Sequence, residues 1–220
     1  AGVALRLRRT PAGWVQTLKW GGTALGSLHE RAECEWPVSE QRLDLEVLDR
    51  TELASLFAPA RIRKRLKPRF VTDFERTNRT LTIGATRIAL SFDRGEVVAG
   101  KTREPISELE LELIAGETVA LFDVAEQLQV HFPLRPLSRS KAERGYALSG
   151  HAGGPRKAAP IMLDNQSSVG QSLMVILGEG LAQLQANEHG MLASGDREYL
   201  HQMGVAVRRL RSALSTHRDV

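Results

Sequence analysis

Apolar and polar side chains alternate along much of the first two thirds of the chain, which is the period of a half-buried β-strand. The sharpest case is 107–113, where Glu108, Glu110 and Glu112 alternate with Leu109, Leu111 and Leu113. Successive strand side chains face opposite ways, so this segment presents carboxylates on one side and leucines on the other. Like charges in one row repel, so the row calls for a bound cation or an opposing basic wall; an edge strand protected by charge is the plainer alternative. A segment of opposite sign opens the chain, with Leu5 and Leu7 alternating against Arg6 and Arg8. Arg31, Glu33 and Glu35 repeat the parity against Ala32, Cys34 and Trp36. A sheet with its apolar side under helices and its polar side lining an interior would use all three rows, carboxylates for metal and arginines for phosphate.

The same patterning predicts strands at 5–9, 14–20 and 29–36, with turns at 11–13 and at Gly21, Gly22 and Gly26. From Ser39 the leucines Leu43, Leu45, Leu48, Leu53 and Leu56 take helical spacing, which predicts one or two helices covering that sheet. Strand character returns at 70–76, 79–83 and 86–93, and Arg94 with Gly95 reads as a turn into 96–100. The Glu/Leu strand stops at Gly116, an amphipathic helix follows at 119–130, and 135–148 carries Ser140, Lys141, Arg144 and Tyr146. Residues 151–162 read as a linker between a first domain at 1–150 and a helical part at 163–220. In that last part a helix is expected at 169–184, with Asp196 capping a second one.

Composition narrows the partners. With 42% hydrophobic and 25% charged residues in 220, the chain is an ordinary globular protein of one or two domains. Thirty basic against 26 acidic residues leave a net charge of +4, too little for a general basic coat, so no specific nucleic-acid partner is expected. The run RIRKRLKPR at 61–69 reads as a solvated helix end or loop. Cys34 is the single cysteine, which matches a reducing compartment, and no apolar stretch approaches the ~20 residues a membrane helix needs. A cytoplasmic protein without a membrane partner is the expectation. The histidines His29, His131 and His151 show no partner spacing. There is no initiating methionine and the helical end is short, so the chain is expected to be a fragment at both ends.

Seven ordered segments carry a resemblance: LRLRR at 5–9, TLK at 17–19, RAECE at 31–35, FERT at 74–77, FDRG at 92–95, ELELEL at 108–113 and SKAERGYAL at 140–148. Together they resemble the CYTH superfamily, the triphosphate tunnel metalloenzymes, over residues 1–150. The later helical part, through LHQM and VRRLR between Leu200 and Arg211, resembles the opening of a CHAD domain. The resemblance implies an α+β fold: an antiparallel β-barrel tunnel with covering helices, followed by an all-α segment. It implies that Arg6, Arg8, Lys19, Arg76 and Lys141, with Arg144, grip a triphosphate. Glu108 and Glu110 would hold Mg2+ or Mn2+ with help from Glu35 and Asp93, while Glu112 and Glu33 rank below them. In the helical part His201 and Arg208 match polyphosphate-binding positions, and Gly204 stands where an arginine is expected. The family's first strand, with two glutamates and a lysine alternating, is expected ahead of Ala1.

The implied activity is metal-dependent hydrolysis of inorganic triphosphate to pyrophosphate and phosphate, mainly by positioning and electrostatics. Thiamine triphosphatase and class IV adenylate cyclase are alternatives within the same fold. A non-enzymatic polyphosphate-binding module is the alternative from another class.

Overall fold

Three antiparallel strands, β1 (Ala4–Thr10), β2 (Gly13–Leu25) and β3 (Leu28–Val38), turn the alternation of the opening segments into a two-faced sheet. The computed structural model describes residues 2–25, 28–151 and 153–217. Ala1, the expected turn glycine Gly26, Ser27, the linker's Ala152 and residues 218–220 lie outside the described residues. The chain divides into two compact units, 1–68 and 69–220.

In the first unit the register puts Arg6, Thr17 and Glu35 in one cross-strand row and Leu5, Leu18 and Cys34 in the next. The faces therefore separate by charge, as period-two patterning requires. On the apolar face Leu18, Leu48 and Phe57 form a buried core, joined by Leu5, Trp20, Trp36, Leu53 and Ile62. Its cover is a 3-10 turn at Val47–Arg50 and two short helices, α1 (Ala54–Phe57) and α2 (Ala60–Arg65). This is the expected helical cover in smaller pieces. Gln16, fully buried, receives the Asp44 N–H at 2.8 Å and donates to the Asp44 carbonyl at 2.9 Å, which pins the chain leaving β3.

The turn expected at Gly21 and Gly22 is a bulge instead. β2 runs on to Leu25, and its register to β3 shifts between Trp20 and Thr23. Gly22 has φ of +85°, and a Cβ there would lie 1.8 Å from the Glu30 carbonyl oxygen. Glycine therefore serves close backbone passage within the strand.

The second unit holds β4 (Val71–Ile83), β5 (Thr86–Ala99) and β6 (Thr102–Ala115), again antiparallel and in chain order. β4 and β5 are unbroken, so the turn expected at Arg94 and Gly95 is absent. Gly95 lies opposite Phe74 and Ile106, and a Cβ on it would meet the Asp73 carbonyl oxygen at 2.1 Å. Here too the small residue admits a neighbouring backbone. Helix α3 (Val119–His131) follows and packs on β6, whose leucines Leu109, Leu111 and Leu113 are half-buried.

Helix α4 (Lys141–Tyr146) begins with a capping box: Glu143 N–H donates to the Ser140 hydroxyl and Ser140 N–H to the Glu143 carboxylate. The helix lies close to the sheet because Gly145 faces the Phe70 ring; a Cβ there would sit 2.2 Å from it. Phe70 in turn meets Tyr146 edge-on, centroids 5.1 Å apart.

Two long helices end the described chain, α5 (Val169–Ser194) and α6 (Arg197–Thr216), packed on one another. Asp196 caps α6 as expected, its carboxylate accepting Glu198 N–H at 2.9 Å. The segment read as a linker is strapped to this pair. Buried Asn187 accepts Arg156 N–H and donates to the Arg156 carbonyl, both at 2.9 Å, and the Tyr199 hydroxyl donates to Gly153. Among the described residues no helix is long and apolar enough to cross a membrane.

The outcome is a mixed fold of antiparallel strands with covering helices and then an all-helical segment, the strands pairing among the described residues as two sheets of three.

Candidate functional site

Each sheet carries its own charged cluster. In the first unit, strand parity puts Arg6, Arg8, Lys19, Glu33 and Glu35 on the face opposite the core. Arg8 donates to Glu35 at 3.0 Å, the Thr17 hydroxyl donates to the same carboxylate at 2.8 Å, and Arg6 comes within 3.8 Å of it. Lys19 pairs with Glu33, directly across the ladder, at 2.6 Å. Burial disfavours the Glu35 anion, but the Thr17 hydroxyl and the Arg8 guanidinium outweigh it and hold its carboxyl below the usual range. These partly exposed pairs are weak as stabilisers and keep cations close to one another on one face. The Arg8 Nε–H is buried and without a hydrogen-bond partner among the described residues.

The second cluster is deeper. The register alone aligns Arg76 on β4, Asp93 on β5 and Glu108 on β6, with Asn78, Ser91 and Glu110 in the next row on the same face. Arg76 makes a two-pronged bond to Asp93, Nε to Oδ1 and Nη2 to Oδ2, each 2.6 Å, and reaches Glu110 Oε2 at 2.6 Å. The capping box of α4, which packs on β5 and β4, fixes where Lys141 and Arg144 emerge, three residues apart on one helix face. Lys141 Nζ lies 2.8 Å from Asp93, 2.6 Å from Glu108 and 2.7 Å from Glu110. Arg144 donates to Glu104 at 2.5 Å and to the Pro105 carbonyl, and also binds Glu108. The Phe74 ring lies under both cations, 5.7 Å from the Arg76 guanidinium carbon and 5.3 Å from Lys141 Nζ.

Burial would push the Asp93 and Glu110 carboxyls up, yet Arg76 and Lys141 at Asp93, and Lys141 foremost at Glu110, hold both below the usual range. Lys141 is pushed the other way: burial disfavours its charge, but Asp93, Glu108 and Glu110 raise its pKa. Arg76 is likewise held more firmly protonated, first through its bond to Asp93. Arg76, Asp93, Glu110 and Lys141 therefore stay ionised near neutral pH.

Sequence reasoning named Arg76, Asp93, Glu108, Glu110, Lys141 and Arg144, and the structure brings these six together. Glu112 lies farther along the same face, opposite Ala89, and is exposed. His201 and Arg208 lie seven residues apart on α6, on one exposed face. Arg209 beside them turns inward to Gln183 at 2.8 Å. Three contributors were missed: Thr17, Phe74 and Glu104. Glu104 has the parity of the acidic row, but Ile106 interrupts the pattern, and only the partnership with Arg144 reveals it.

Among the described residues no group of three or more His, Cys, Asp or Glu stands as a ready-made metal cage. Asp93, Glu108 and Glu110 instead point one oxygen each at the Lys141 ammonium. That donor set, carboxylate oxygen only, suits a hard divalent cation such as Mg2+ or Mn2+, and the ammonium stands where such an ion would find all three.

A family model described as CYTH domain matches residues 1–146, and one described as CHAD domain matches residues 175–220. An inorganic triphosphatase of Haemophilus influenzae is 35% identical over 147 residues, covering 66% of this chain. The chain spans 41% of the length of that curated relative.

Proposed function

This chain belongs to the CYTH domain family, and from that premise we propose that it carries the site of a metal-dependent hydrolase of inorganic triphosphate. The observation that carries this reading is the convergence of Asp93, Glu108 and Glu110 on one cationic point, the Lys141 ammonium, with Arg76 beside it. A triphosphate is a dense polyanion, and fixed ammonium and guanidinium groups neutralise it without the reorganisation that water must undergo.

In this reading Glu108 and Glu110 hold the divalent cation with Asp93 behind them. Arg76 and Lys141 bind phosphate oxygens. On the first sheet Arg6, Arg8 and Lys19 exchange their contacts with Glu35 and Glu33 for phosphate, and those two carboxylates keep the cations aligned until it arrives. When bound, the cation supplies charge neutralisation on the phosphate oxygens and orients the attacking water. Water adds to a terminal phosphorus, the bond to the bridging oxygen breaks, and pyrophosphate leaves with phosphate and a proton released. No Ser, Cys or His nucleophile is required. Arg144, whose donors are engaged by Glu104, Glu108 and Pro105, acts as a clamp on Glu108. His201 and Arg208 are assigned to anion contact on α6.

The test is phosphate release from tripolyphosphate with Mg2+ or Mn2+, run beside ATP and thiamine triphosphate. Preferential turnover of tripolyphosphate is expected. Metal-dependent turnover of one of the other two instead would reassign the substrate, and binding of long-chain polyphosphate without turnover would identify a receptor.

A further inference from the structure

Three carboxylates that repel one another converge on one point because a cation sits there, and in this protein that cation belongs to the chain itself. Each carboxylate gives one oxygen to Lys141 Nζ, at 2.6 to 2.8 Å. The other oxygen of each is bound by a guanidinium: Asp93 Oδ1 and Glu110 Oε2 by Arg76, and Glu108 Oε1 by Arg144. The two arginines thus hold the trio from behind. Lys141 does not have to stay for the carboxylates to remain aimed.

Charge and mobility point the same way. Counting Glu104, four carboxylates face three cations, Arg76, Lys141 and Arg144, one charge short of balance. A divalent ion at the Nζ position, with Lys141 withdrawn, balances the cluster. The lysine stem is long and flexible, whereas its backbone is fixed by the capping box and by Gly145 against Phe70, so withdrawal needs only rotamer changes. The cluster is open on one side: the Glu110 side chain is 46% exposed, against 13% for Lys141 and none for Asp93.

Resting on the reading that these carboxylates hold metal, we propose that Lys141 is a tethered place-holder for the divalent cation. Its ammonium occupies the ion's position in the metal-free protein, is displaced as the ion binds, and so becomes available to a phosphate oxygen. The step is an exchange of ionic contacts; no covalent bond forms or breaks. It couples the two ligands. The apparent affinity for the ion alone is lowered by the fraction of molecules with Lys141 in place, and a phosphate that draws Lys141 away removes that handicap.

Mn2+ alone, titrated calorimetrically without phosphate into the wild type and Lys141→Met near neutral pH, tests the exchange. The variant is expected to bind Mn2+ about tenfold more tightly, and a second change, Glu108→Gln, to abolish the gain. Equal or weaker binding by the folded variant overturns the exchange while wild-type Mn2+ binding leaves the metal reading standing. Absence of Mn2+ binding in both proteins overturns both. A second measurement uses the unaltered chain: acetylation of Lys141 by acetic anhydride, followed by mass spectrometry with Lys101 as reference. Mn2+ is expected to raise labelling of Lys141 relative to Lys101, and unchanged labelling with Mn2+ bound overturns the place-holder.

Discussion

Arg144 donates from Nε to the Glu104 carboxylate at 2.5 Å while Nη1 of the same side chain holds Glu108, so one guanidinium ties together two acids four positions apart on β6. The Arg144 side chain is only 7% exposed. A guanidinium so enclosed and so fully engaged orients a neighbour; it does not wait for a ligand.

Glu104→Gln should therefore loosen Glu108 without touching substrate. Turnover of tripolyphosphate is expected to fall about tenfold with little change in KM, in line with the usual effect of residues behind metal ligands. Glu104→Asp should recover part of the loss. A rise in KM at unchanged kcat would show instead that this corner of the cluster meets the substrate.

Gly145→Ala sets two effects of opposite sign against each other. Alanine favours a helix over glycine by about 1 kcal/mol, but its Cβ would enter the Phe70 ring, and overpacking of this kind costs about 2 kcal/mol. The clash should win, giving a lower urea midpoint. Because α4 carries both Lys141 and Arg144, activity should fall with it. An unchanged or raised midpoint would mean that Phe70 yields.

The cluster also sets a pH dependence. Asp93, Glu110 and Glu35 have folded pKa values below their ordinary 3.8, 4.5 and 4.5, so their contribution is present above those values and lost as pH falls through the lower folded ones. Lys141 is raised above 10.5, so its contribution is present below that value and lost only as pH rises through the folded one. Stability from these groups should be flat between about pH 5 and 10 and fall on the acid side. Asp93→Asn leaves Arg76 and Lys141 short of a buried partner and should cost about 3 kcal/mol at neutral pH while flattening the acid limb. Urea unfolding across pH measures both.

Asn187→Ala removes both hydrogen bonds to the Arg156 backbone. Trypsin cleavage after Arg156 and Lys157 should accelerate severalfold, read by the appearance of the two fragments. Unchanged cleavage would assign the hold on this strap to Tyr199 and to the Arg156 pair with Glu179.

What was legible in the sequence was parity. Leu109 and Leu111 against Glu108 and Glu110 fixed which groups share a face, because a strand allows only two directions. Glycine misled at two points: Gly21 with Gly22 and Arg94 with Gly95 read as turns, whereas in the fold Gly22 and Gly95 are places where a neighbouring backbone passes too close for a Cβ. One chain read alone shows that a position lacks a side chain and not what presses on it. Glu104 was hidden for a related reason: its value depends on the Arg144 side chain reaching it from 40 residues along the chain, which is long-range information. Lys141 was among the residues named for the site, but its place among three carboxylates required the register of β5 with β6.

The difference in exposure between Glu110 and Asp93 also gives the cluster an open end and a closed one. On the proposed reading, an ion from solvent would meet Glu110 first, then Glu108 in exchange for Lys141, and the fully enclosed Asp93 last. Release would run in reverse. Capture rate would then be set at the open end and dwell time at the closed one, and charge removal at Glu110 and at Asp93 should leave different kinetic signatures even where the equilibrium loss is the same.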